Sequence, residues 1–159
     1  MGADKVFTHL NDEGQAHMVD VSDRGISTRT ATASGKVLLS NAVISMLRDG
    51  SIPKGDVLAT ARLAGIMGAK RTPDLIPLAH PIALHSISVN LQVSDDAVLI
   101  EASVRTADRT GVEMEALTAV SIAALTIIDM VKSLDPGATM TDIHVDSKDG
   151  GRNGAWKRS

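Results

Sequence analysis

The 159-residue chain has no cysteine and no tyrosine, and its 1% aromatic content is Phe7 and Trp156 alone. Without cysteine there is no disulfide framework, no thiolate metal site and no cysteine nucleophile. Without aromatic rings there are few platforms on which single-stranded bases could stack. A strong charge of one sign is also missing. The 16 Lys and Arg stand against 19 Asp and Glu, a formal net charge of −3. That balance lacks the chain-wide positive field that phosphate backbones select, so no nucleic-acid partner is expected. The most apolar run, Ala116 to Val131, is broken by Thr118, Ser121, Thr126 and Asp129. It also falls short of the ~20 apolar residues that span a membrane. Residues Met1 to His9 hold no apolar core of the kind found in secretory signals. The expectation is a soluble, cytoplasmic protein with no membrane partner.

What is present is ordinary for a globular chain: 43% hydrophobic and 22% charged residues. The length suits one domain over residues 1–159, with flexible ends at 1–14 and 149–159. Its core must be built from Ala, Val, Ile, Leu and Met. The Thr-rich stretch from Thr28 suits a strand reaching toward Leu39. Ser40 reads as the N-cap of a helix over Asn41–Asp49 that Gly50 stops, and Asp56 as the cap of a second helix running to about Lys70. Thr72-Pro73 should end that helix, and the prolines at 77 and 81 make residues 74–81 a loop. Leu84–Val93 alternates polar and apolar, turns at Ser94-Asp95-Asp96, and returns over Ala97–Thr106 as a hairpin. A long helix from about Gly111 to Leu134 and a strand over Met140–Val145 complete the order, with a tail from Ser147. The pattern predicts an α+β fold, ferredoxin-like β-α-β-β-α-β, with an antiparallel sheet and helices packed on one face.

Two further features concern packing. Ala61, Ala64, Gly65 and Gly68 recur at helical spacing, a small-residue stripe that admits a second backbone. The long helix is apolar around its whole circumference, which one small sheet cannot cover. A homo-oligomer follows as the expectation.

The groups able to do chemistry are scattered. Asp129 and Lys132, three apart, share one face of the long helix; a structural ion pair or a solvated last turn explains them as well as catalysis does. Glu113 and Glu115 suit a helix N-terminus on dipole grounds, yet a carboxylate can also accept two N–H bonds from a guanine-like edge. Lys54 lies in a Pro-Lys-Gly-Asp loop. His80 sits between Ala79 and Pro81, whereas His85 and His144 fall on strands. No pair of histidines has ligand spacing, so no metal site is expected. Lys148-Asp149-Gly150-Gly151-Arg152 reads either as a flexible phosphate clamp or as a mobile basic end. By spacing alone no reaction is named.

Several blocks together resemble one family: His17-Met18-Val19-Asp20-Val21-Ser22, Lys54 through Ile66, Lys70-Arg71-Thr72, Asp74 through Pro81, Thr110-Gly111-Val112-Glu113-Met114-Glu115-Ala116-Leu117-Thr118-Ala119-Val120, and Ala123 through Lys132. They are similar to the MoaC-type cyclic pyranopterin monophosphate synthases of molybdenum cofactor biosynthesis, over residues 8 to 154. The resemblance implies a lyase acting on (8S)-3′,8-cyclo-7,8-dihydroguanosine 5′-triphosphate and releasing pyrophosphate as a cyclic phosphate closes. It implies a ferredoxin-like fold and a hexamer, a trimer of dimers, with sites at subunit interfaces. It places the catalytic groups at Asp129, Lys54 and Lys132. Substrate contacts fall on Leu78, Ala79 and His80, on Met114 and Glu115, and on Arg29, Lys70, Asp20, Glu113, Lys148 and His17. No cofactor is implied, although a divalent ion such as magnesium could accompany pyrophosphate. Ala79 departs from the family, which has cysteine there, so thiol chemistry is not expected at this loop. A non-catalytic paralogue that binds a purine nucleotide is the alternative, and a purely structural self-assembling module a more distant one.

Overall fold

The computed structural model describes residues 9–159. Part of the lead-in expected to be flexible, residues 1–8, lies outside the described residues. The elements in chain order are β1 (Ser27–Leu38), α1 (Asn41–Asp49), α2 (Val57–Lys70), α3 (Thr72–Leu75), β2 (Ser86–Val93), β3 (Ala97–Asp108), α4 (Glu113–Val131), β4 (Thr139–Asp149) and β5 (Trp156–Lys157). They form a five-stranded sheet of order β2-β3-β1-β4-β5. Every neighbouring pair is antiparallel. The first four strands therefore have the interleaved β-α-β-β-α-β order expected, with β5 added at one edge.

Binary patterning explains why the sheet has one covered face. Along β1, Ala31, Ala33, Gly35 and Val37 are buried, while Thr30, Thr32, Ser34 and Lys36 alternate with them on the open side. In β3, Ile100, Ala102 and Val104 are buried opposite them, with Ala33 paired to Ala102 and Gly35 to Ile100. The covered face is small-residued because α4 lies directly on it. At Gly35 a Cβ would sit 2.9 Å from Val120 Cγ1 and 2.8 Å from Ile143 Cγ1. The stripe on α2 serves the same end. A Cβ at Gly65 would stand 2.9 Å from the Ala119 carbonyl oxygen, so the backbones of α2 and α4 come close together here.

α4 is the core of the molecule. Ala116, Ala119, Val120, Ala123, Ala124, Ile127 and Val131 have no exposed surface. By length and composition alone α4 could cross a membrane, but more than half of it is buried within this fold. Its outer face is not covered: Leu125 is 53% exposed, beside Leu63 and Met67 of α2 at 63% and 59%. Of these, Leu125 is the kind of uncovered residue that the all-round apolar pattern of the long helix anticipates.

Three local expectations are corrected. The second helix ends at Lys70 as expected, but Asp74 and Leu75, expected in a loop, belong to the short α3, where Pro73 occupies a first-turn position that needs no N–H. Ser40 stands at the start of α1 without capping it through its side chain, and its own N–H goes to Asp135 Oδ2 at 2.7 Å. Ser147 and Lys148, taken as tail, belong to β4 and pair with Thr32 and Ala31 of β1. Polar residues on both faces of this stretch hide the strand from a hydrophobic pattern. Beyond it, Trp156 and Lys157 turn back to pair with Lys148 and Ser147.

Candidate active site

α4 carries a cluster of functional groups at each end. At its start, the loop after α3 brings Leu78, Ala79 and His80 against Met114 and Glu115, enclosing a cavity of about 350 Å³ with Val19 and Val21. Prolines at 77 and 81 stiffen this loop on either side of the histidine. The His80 Nε2 lies 2.6 Å from the Val19 carbonyl oxygen, so in the tautomer that donates there Nδ1 remains an acceptor. Glu115 is only 4% exposed. Burial pushes its carboxyl from the ordinary 4.5 up to about 7, and the neighbouring charge of Glu113 adds to the rise. Near neutral pH this group can therefore either donate or accept a proton.

A wider cavity of about 580 Å³ adjoins the first and shares Arg24, Thr110, Gly111 and Glu113 with it. Arg29 and Lys148 line this second space. Arg29 Nε donates to the Asp108 carbonyl oxygen at 3.1 Å, and Lys148 Nζ pairs with Glu113 Oε1 at 2.9 Å. The strand pairing of β4 with β1 is what brings these cations together.

At the far end of α4 stand Lys54, Asp129 and Lys132. Lys132 Nζ lies 2.7 Å from Asp129 Oδ1, and Lys54 Nζ donates to the Asp129 carbonyl oxygen at 2.7 Å while lying 4.0 Å from Oδ2. The hydrogen bond from Lys132, with the charges of Lys132 and Lys54, holds the Asp129 carboxyl below the ordinary carboxylate range. All three are open to solvent. Gly55, at φ 104, makes the turn that returns the chain from Lys54 into α2, whose cap is Asp56 accepting from Ala59 N–H at 2.9 Å.

The structure thus assembles Leu78, Ala79, His80, Glu113, Met114 and Glu115 with Arg29 and Lys148, and separately Lys54, Asp129 and Lys132. Asp129 stands fourteen residues beyond Glu115 on the helix, roughly 21 Å at 1.5 Å of rise each. One chain does not unite the two clusters. Lys70, at the exposed end of α2, lines neither cavity. The same holds for Asp20 and His17. The Asp20 carboxylate accepts the Ser22 N–H at 2.8 Å, which lowers its pKa, and the His17 N–H goes to the His9 carbonyl. Among the described residues, no group of three or more His, Asp or Glu is arranged to hold a metal ion.

Among the wall residues that were not anticipated, Arg24 and Thr110 line both cavities. Arg24 stands in an irregular segment with no periodicity to mark it. Thr110 lay inside a quoted block, but nothing in its chemistry singled it out.

Comparison with known proteins bears on the family to which the chain belongs. The model of the MoaC family matches residues 18–151. A cyclic pyranopterin monophosphate synthase of Streptomyces avermitilis is 61% identical over 153 residues, covering 96% of this chain and 90% of that protein. The synthase of that name from Nocardioides is 57% identical over 155 residues, covering 96% and 95%. One from Mycobacterium tuberculosis, named synthase 2, is 54% identical over 152 residues, covering 96% and 91%. A de novo designed protein with a ferredoxin fold, solved by NMR, aligns with a TM-score of 0.40 at 18% identity over 73% of this chain and 83% of its own. The fold assignment rests on the strand order and not on that likeness. A family match over most of the chain, with relatives this similar along nearly their whole length, establishes that the chain belongs to the MoaC family.

Proposed function

We propose that this chain converts (8S)-3′,8-cyclo-7,8-dihydroguanosine 5′-triphosphate to cyclic pyranopterin monophosphate with release of pyrophosphate, a lyase step of molybdenum cofactor biosynthesis. The observation that carries the reading is the pair of joined cavities at the start of α4. One presents the buried Glu115 carboxyl, the His80 imidazole and loop backbone, and the other presents four cations against three carboxylates. That arrangement suits a purine-derived ring bearing a triphosphate. Glu115 meets the N–H edge of the ring, His80 lines the same cavity with Nδ1 available, and Arg29 with Lys148 faces the phosphates.

Lys54, Asp129 and Lys132 supply the proton transfers of ring opening and reclosure. Asp129 is ionised at neutral pH, so it accepts a proton or fixes the two ammonium groups. A lysine near a second cation, once sheltered from water, loses its proton more readily and serves as an acid or base. Surface ion pairs of this kind contribute little to stability, which favours catalysis over a non-catalytic nucleotide-binding role. No resident cofactor enters the scheme, and a divalent ion such as magnesium would arrive with the polyphosphate.

Because the clusters lie at opposite ends of one helix, the complete site is built between copies, the start of α4 from one and the end of α4 from its neighbour. The exposed Leu63, Met67 and Leu125 support association. We place the chain in a cytoplasmic hexamer, a trimer of dimers. The test is the precursor-to-pyranopterin assay with the purified chain and with Lys54, Asp129 and Lys132 replaced one at a time. A wild-type chain that forms no pyranopterin, or a Lys132→Ala chain that forms it at the wild-type rate, refutes the proposal.

A further inference from the structure

We propose that Arg24 and Arg152, set by the Gly150-Gly151 turn, hold the outer phosphates of the substrate and the pyrophosphate it releases. This rests on the lyase reading and deepens it.

The argument begins with which cations in the wider cavity are already engaged. Lys148 is paired with Glu113, and the Arg29 side chain is tethered to the Asp108 carbonyl. Arg24 and Arg152 line the same cavity, and among the described residues neither side chain makes an ion pair or a hydrogen bond. The carboxylates present are Asp23, Glu113 and Asp149. Of these, Glu113 is neutralised by Lys148, and Asp149 accepts the Gly150 N–H at 2.8 Å. Outside the Lys148–Glu113 pair the lining holds three guanidinium groups against the carboxylates of Asp23 and Asp149, and of the three only Arg24 and Arg152 have side chains not already engaged. Their planar forks match phosphate oxygens two at a time.

The second strand of the argument is the turn that carries Arg152. Gly150 and Gly151 have φ of +90 and +79, conformations that side chains rarely adopt. Both also lie too close to β1 to bear one. A Cβ at Gly150 would stand 2.1 Å from the Thr28 carbonyl oxygen, and one at Gly151 would stand 2.2 Å from Arg29 Nη1. The glycines thus press the turn onto β1 and onto the Arg29 guanidinium. On the far side, pairing of Trp156 with Lys148 closes the segment. Arg152 is held at the cavity by a loop fixed at both ends.

The third strand is orientation. The narrower cavity offers the carboxyls of Glu113 and Glu115, the imidazoles of His9 and His80 and loop backbone, with Arg24 at the boundary as its one Arg or Lys. A ring seated against Glu115 and His80 therefore directs its phosphates past Arg24 toward Arg152.

The test is calorimetric titration of inorganic pyrophosphate into the wild-type chain and into Arg24→Gln, Arg152→Gln and Lys157→Gln, with each variant first shown to melt as the wild type does. Lys157 is a cation outside the cavity. Loss of one charge-assisted bond weakens pyrophosphate binding about 10-fold or more in each arginine variant, and Lys157→Gln stays at the wild-type value. Binding within two-fold of wild type in both arginine variants, equal weakening in Lys157→Gln, or no binding by the wild type overturns the inference. The precursor assay on the same samples keeps the two readings apart. Pyranopterin formation with unaltered pyrophosphate binding removes only the arginine assignment. Weakened binding in a chain that forms no pyranopterin keeps the anion site and removes the lyase.

Discussion

The Glu115 carboxyl should make folding stability fall as pH rises through the range in which the enzyme works. In the unfolded chain the group titrates at its ordinary 4.5, and in the folded chain burial raises it to about 7. Between those values the folded carboxyl keeps a proton that the unfolded chain has released. Folding then takes up a proton, and each unit of pH costs about 1.36 kcal/mol. Over the window from 4.5 to about 7 the loss is about 3 kcal/mol, fully developed above the folded value and absent below 4.5. Glu115→Gln keeps the shape of the protonated group and cannot ionise. Its stability relative to wild type should be near parity at pH 4 and better by about 3 kcal/mol at pH 8. For a chain of this size that corresponds to about 6–12 °C in melting temperature. The measurement is scanning calorimetry of both proteins from pH 4 to pH 8 at one fixed concentration, since association also moves the melting point. A difference between the two that does not vary with pH would refute the burial argument. The substitution should also cost activity, because an amide cannot accept both N–H groups of the substrate edge.

The remaining predictions address other parts of the molecule. Lys132→Ala and Asp129→Asn should lower pyranopterin formation by about 10²-fold or more, with little change in melting temperature because these side chains lie in solvent. A marked fall in melting temperature would recast them as structural. Gly65→Ala forces a methyl to within 2.9 Å of the Ala119 carbonyl oxygen, and denaturant unfolding should show a loss of about 1–3 kcal/mol. Leu125→Glu should shift the chain to a smaller species in light scattering and remove activity, while an unchanged mass would place the contacts elsewhere. Mixing His80→Ala with Lys132→Ala after subunit exchange should restore partial activity, because some sites then draw both intact halves from different chains. No recovery would mean that each site lies within one chain.

Much of the fold could be read from the sequence because its elements obey the two simple periods. The alternation in Leu84–Val93 and the caps at Asp56 and Gly50 placed elements within a few residues of where they lie. The failures share a cause. β4 beyond Val145 runs Asp146, Ser147, Lys148, Asp149, polar at every position, so the strand lacked the apolar signature. α3 is too short for any period. Of the candidate site, the residues near α4 were recognisable through the blocks that resemble the family, but their grouping was not. Residues fourteen apart on a helix look adjacent in a motif and are distant in space. Arg152 was legible only as part of a possible clamp and Arg24 not at all, because irregular segments are positioned by tertiary contacts, such as the seating of Gly151 on Arg29, that no local pattern encodes.

The length of α4 has a consequence for stoichiometry. If, as proposed, each tip of this rod carries one half of the catalytic site, no chain is self-sufficient, and an open row of chains always leaves two tips unmatched. Only a closed arrangement, the simplest being two chains related by a two-fold axis, lets every tip meet its complement. Activity per chain should therefore vanish on dilution below the concentration at which copies part, even while each separated chain stays folded.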